Sequence, residues 1–128
     1  MTRKDDARPH LDKAEEYLQA AKIVAQDHRY NAACSLAVTS AINAKDVICI
    51  LSVGFTDKSD SHDKAVAELR KSGPIGAQIA PTFSKLLSRK TKAQYSAPSV
   101  GVSDALDAVK RAERVFAVAK ELYDSTPR

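Results

Sequence analysis

At 128 residues and 13.8 kDa the chain is long enough for one domain with a single core and too short for two. Hydrophobic residues make up 44% and charged residues 28%, the balance of an ordinary globular protein, and four Tyr, three Phe and no Trp beside abundant Ala predict a tight aliphatic core between closely approaching helices. The net charge of +4 favours an anionic partner. No uninterrupted apolar run reaches the roughly 18 to 20 residues of a membrane span, and Met-Thr-Arg-Lys-Asp-Asp lacks an apolar signal region, so no membrane partner and a cytoplasmic location are expected.

Pro9 falls just inside a helix start, and Leu11, Ala14, Leu18, Ala21, Ala25 and His28 recur at spacings of three and four. This predicts a first helix ending near His28. Tyr30 to Val53 is apolar almost all round, with Asn31, Ser35, Thr39, Asn43 and Asp46 on one narrow polar line, as befits a helix in the middle of a bundle. Lys45 breaks the apolar row and is expected to reach solvent along its stem. Cys34 and Cys49 share this helix about 22 Å apart, too far for a disulfide, and read as small buried thiols. Gly54 supplies the stop.

Ser61 caps a short third helix that closes at Gly73-Pro74. Ile75, Ile79, Phe83, Leu86, Leu87 and Lys90 keep helical spacing across Pro81, where the helix either kinks or begins. Residues 96–101 form a loop, and Ser103 caps a last helix with Leu106, Val109, Ala112, Phe116, Ala119 and Tyr123 as its buried face and Asp107 and Arg111 as an exposed pair. No segment alternates as a strand. The expectation is an all-α antiparallel bundle of four to five helices, up and down, in one domain over 1–128, with 1–7 and 125–128 as flexible ends.

The chemistry-bearing signals are few. His10, His28 and His62 lie at three separate helix ends or loops, so no metal site is expected, and the four glycines read as punctuation rather than a phosphate loop, so no cofactor is expected. Between Leu69 and Ser103, however, Arg70, Lys71, Lys85, Arg89, Lys90 and Lys92 occur without a single acid, while the rest of the chain holds fourteen bases against sixteen acids. Lys85, Arg89 and Lys92 recur at i, i+4 and i+7, one row along a helix. With Lys90 they form the predicted anion-binding surface, and Tyr95 adds a ring on which a base could stack.

Two stretches carry a family resemblance. Tyr30-Asn31-Ala32-Ala33 leading to Ala41-Ile42-Asn43-Ala44-Lys45-Asp46-Val47 is similar to the Ala-rich second helix, with an embedded acid, of HEPN domains. Lys90-Thr91-Lys92-Ala93-Gln94-Tyr95 resembles that family's basic-x-x-Ala-polar-Tyr signature before the final helix. The resemblance covers about residues 8 to 123. It implies a helical bundle, a homodimer, and association with RNA, a nucleotide, or an acidic or nucleotidyltransferase-type protein partner, as in toxin-antitoxin systems. Nuclease members carry an Arg followed four to six residues later by a His; here Ala93, Gln94 and Tyr95 follow Arg89 at those places, and no His lies beyond His62. The imidazole that would assist attack by a 2′-hydroxyl is missing. A non-catalytic binding role is therefore expected, with Asp46 supporting the basic helix as an ion-pair partner. The alternative is a metal-independent ribonuclease in which Arg89 and Tyr95 are catalytic and Lys92 assists.

Overall fold

The computed structural model describes residues 1–58, 61–95 and 100–128, and within these the side chains of 90–95 lie outside the described set. In chain order the helices are α1 (Arg3–Gln26), α2 (Tyr30–Val53), α3 (His62–Lys71), α4 (Pro74–Tyr95) and α5 (Val102–Ser125). Among the described residues there is no strand, and the architecture is the expected all-α bundle.

Helix starts differ from the sequence reading where capping or solvation outweighs a proline. Thr2 and Asp5 form a capping box, the Thr2 hydroxyl accepting from the Asp5 amide at 3.1 Å and the Thr2 amide donating to the Asp5 carboxylate at 3.2 Å. Helix α1 thus begins well before Pro9, which sits exposed within it. Pro81 is likewise carried inside α4, which starts at Pro74 directly after Gly73. Both Pro81 and Ala77, whose carbonyl loses its usual donor, are exposed, so water can satisfy the freed oxygen. The α5 cap is Gly101 rather than Ser103, which falls inside the first turn. Gly54 ends α2 in the left-handed region at φ 93°, its N–H bonded to Ile50 O, and the guanidinium of Arg3 reaches the orphan carbonyls of Leu51 and Ser52 at 3.4 Å.

Packing follows from composition. The apolar row Ala33, Ala37, Ala41, Ala44, Ile48 and Leu51 of α2 is buried, as are Cys34 and Cys49, and the helix lies against α1, α4 and α5. By length and mean hydropathy α2 would suffice to cross a bilayer, because its polar residues are mostly small and uncharged; here other helices cover it. Small residues let them come close: Ala7, Ala14 and Ala21 of α1 and Ala105, Ala108, Ala112 and Ala119 of α5 are fully buried. This phase of α5 leaves Leu106 46% exposed, contrary to its predicted burial, because the alanine row and Val115 take the inner face. The Ser40 hydroxyl donates to Ala14 O at 2.6 Å, fastening α1 to α2 inside the core. Near the termini, Lys4 donates to Thr126 O at 3.0 Å and lies over the Tyr123 ring.

Helices α1 and α4 both flank α2 and α5 but do not approach each other. The short α3 packs on α4. There Gly76 is indispensable: a Cβ at that position would stand 2.1 Å from Leu69 O and 2.2 Å from the Ser72 hydroxyl oxygen. Gly76→Ala should therefore push α3 off α4 and cost about 1 to 3 kcal/mol, read as a Tm lowered from that of the wild type.

Candidate functional site

The basic segment spreads over two adjoining helices. Arg70 and Lys71 at the end of α3 and Lys85 on α4 are exposed, and none has an ion-pair partner among the described residues. Arg89 is different. It is three-quarters buried, one terminal nitrogen 3.2 Å from Asp104 Oδ1 and the other 3.2 Å from Asp107 Oδ2, while its backbone oxygen accepts from the Cys34 thiol at 3.5 Å. Asp107 also holds Arg111 Nε at 2.8 Å, so the pair expected to be exposed is a partly buried cluster joining α4 to α5. Burial pulls the Asp107 carboxyl upward, but hydrogen bonds from Arg111 and Arg89 outweigh it and hold the group below the usual carboxylate range. Lys90, Lys92 and Tyr95 belong to α4, but their side chains lie outside the described residues.

Asp46 is buried and paired, but its described partners are not on the basic helix. The cation is Lys45, which does not reach solvent: it is 2% exposed, and its ammonium donates to Asp46 Oδ1 at 3.1 Å, Thr56 Oγ1 at 3.0 Å and Asp57 O at 3.1 Å. Glu68 of α3 also contacts the ammonium, and its other oxygen accepts from the Asp57 amide. The Thr56 hydroxyl in turn donates to Asp46 at 2.6 Å. His10 of α1 completes the group, Nδ1 lying 3.6 Å from Asp46 Oδ2. Burial alone would pull the Lys45 ammonium down, but Glu68 and Asp46 more than offset this, and the net shift is upward. Nearby, burial pushes the Cys49 thiol up to about 12 despite the ammonium, so it is no nucleophile at neutral pH.

Beside this network the structure opens a cleft of about 730 Å³ where α1, α2, α3 and the loop before α3 meet. His10 and His62, which read as unrelated in the sequence, both line it, with Lys13 and Lys58 at exposed positions and Ile42, Ala65 and Leu87 as apolar wall. Three lysines and three aspartates line the cleft in all, so it carries no clear sign of charge. Among the described residues no cluster has the ligands to hold a metal.

The five-helix bundle with a central Ala-rich α2 and a basic α4 ahead of the last helix agrees with a family model described as the HEPN domain, which matches residues 7–122. The chain belongs to the HEPN-domain family. No curated protein matches it.

Within this HEPN domain, sequence reading missed the closure of Lys45 by Glu68 and the convergence of Arg89 and Arg111 on Asp107. Glu68 comes to Lys45, and Arg89 to the Asp107–Arg111 pair, from another helix, and the local signals were an ammonium interrupting an apolar row and an i, i+4 pair that reads as exposed. Because Asp46 and Glu68 share one cation, Lys45→Met should leave two carboxylates without it and destabilise by about 3 to 5 kcal/mol in a denaturant melt. The sign with pH follows from the raised Lys45 value. Its contribution is complete below the ordinary lysine value near 10.4 and is lost as pH climbs through the folded value. The wild-type Tm should thus fall more steeply than that of Lys45→Met above about pH 10.5; parallel profiles would contradict the pairing.

Proposed function

We propose that this HEPN domain is a non-catalytic RNA-binding module, acting as a homodimer, with the adjoining faces of α3 and α4 as its electropositive surface. The observation that carries the reading is the set of exposed cations Arg70, Lys71 and Lys85, free of described carboxylate partners, in a stretch without acids. Exposed lysines and arginines that meet no internal anion are available to phosphates, and each phosphate neutralised releases counterions. Lys90 and Lys92 extend the same segment of sequence. A nucleotide or an acidic protein, including a nucleotidyltransferase-type partner in a toxin-antitoxin pair, would draw on the same cations. The dimer is supported by the family resemblance and by Val102 and Leu106, exposed one turn apart on α5.

Cleavage at Arg89, Lys92 and Tyr95 has less support, because the Arg89 guanidinium is already engaged by two carboxylates and no imidazole follows it in the sequence. Fluorescence anisotropy with single-stranded RNA tests the binding reading. Affinity should fall steeply with salt, and Lys71→Ala with Lys85→Ala should flatten the slope by about 2 and weaken binding alike for all sequences. Absent or salt-insensitive binding would reject the reading. Sedimentation should show a dimer at micromolar concentration; a monomer there would remove that part of it.

A further inference from the structure

The cluster at the junction of α4 and α5 has the form of an anion receptor whose guest belongs to the chain itself. Two planar guanidiniums on different helices converge on one oxygen, Asp107 Oδ2, Arg111 at 2.8 Å and Arg89 at 3.2 Å. The arginine side chains are the more buried partners, 17% and 25% exposed against 35% for Asp107, so the carboxylate is the part nearest solvent. Arg89 Nε is buried and has no acceptor, which leaves the fork with an unused donor beside the two it commits to Asp104 and Asp107. A guanidinium fork fits carboxylate and phosphate alike, and a phosphodiester presents two non-bridging oxygens that share its charge, where Asp107 offers one oxygen to this pair.

We propose that Arg89 and Arg111 form a phosphate-binding site for the RNA backbone, occupied in the free protein by Asp107, which a phosphodiester displaces. The inference rests on the RNA-binding reading and adds Arg111, which lies outside the acid-free segment. Displacement is feasible because Asp107 is on the second turn of α5, in reach of water, and a partly exposed ion pair is a modest loss compared with a buried one. Asp104 stays on Arg89 and keeps α4 fastened to α5 while Asp107 is exchanged. Free RNA-binding capacity is thereby held in check by an internal competitor, and the segment rich in cations is less adhesive than its composition suggests.

The test is anisotropy with a single-stranded oligouridylate of about twelve nucleotides at fixed salt. Arg111→Lys keeps the charge but loses the fork, and should weaken binding about tenfold, the worth of one charge-assisted phosphate contact. Asp107→Asn should tighten it several-fold. Asp124→Asn removes the same charge from an exposed pair on the same helix and serves as the control, with a much smaller gain expected. The gain from Asp107→Asn should vanish when Arg111→Ala is combined with it, and circular dichroism melts confirm that each variant is folded. If Arg111→Lys binds as wild type, or Asp107→Asn gains no more than Asp124→Asn, the site is overturned while the RNA-binding reading stands. If neither wild type nor Asp107→Asn binds the oligonucleotide, both fall together.

Discussion

Helix α2 can be enclosed by its neighbours only because its one ammonium is met inside the protein. Lys45 is 2% exposed, and a cation so placed is tolerable only when hydrogen bonds and opposite charge replace water. Asp46 supplies a charge from the next residue, Glu68 supplies another from α3, and Thr56 and Asp57 bring the loop between them onto the same atom. One side chain thus fixes the position of a connection that apolar contacts alone would leave loose, and sets α3 at the place from which it packs on α4. His10 extends the network to α1 and opens it onto the cleft.

A second electrostatic cluster does comparable work at the other end of the fold. Arg89 meets two α5 carboxylates and, through its backbone oxygen, the Cys34 thiol of α2, so three helices are held around a single residue. Its charge is therefore spent on architecture until something competes for it. The cations that remain free, Arg70, Lys71 and Lys85, belong to the two helices that these clusters position. The protein separates internally neutralised charge, which builds the bundle, from exposed charge, which remains for a ligand.

Much of this was legible in the chain, where period and burial coincide. Tyr30 and Val53 bound α2 as the apolar run predicts, Gly54 stops it, and Ser61 caps α3 through a bond to the Lys64 amide. The failures share a physical cause. Pro9 and Pro81 read as a start and a kink or start because a proline removes a donor, yet an exposed helix face lets water take the orphaned carbonyl. Hydrophobicity alone places Leu106 in the core, whereas the small Ala105 and Ala108 permit the closer approach. The state of Lys45, Asp46 and Arg89 depends on partners from other elements, Glu68 on α3, His10 on α1, Asp104 and Asp107 on α5 and the loop after α2, and periodicity carries no information about those. Lys90, Lys92 and Tyr95 entered the site through sequence alone.

Function here turns on where a polyanion meets this surface. Titrating isotope-labelled protein with the oligouridylate while following backbone amides and arginine Nε–H resonances locates the contact directly. Perturbations concentrated on Arg70, Lys71, Lys85 and the Nε–H signals of Arg89 and Arg111 are the predicted result. Shifts gathered instead around His10, Lys13 and His62, with both arginine signals unmoved, would contradict it.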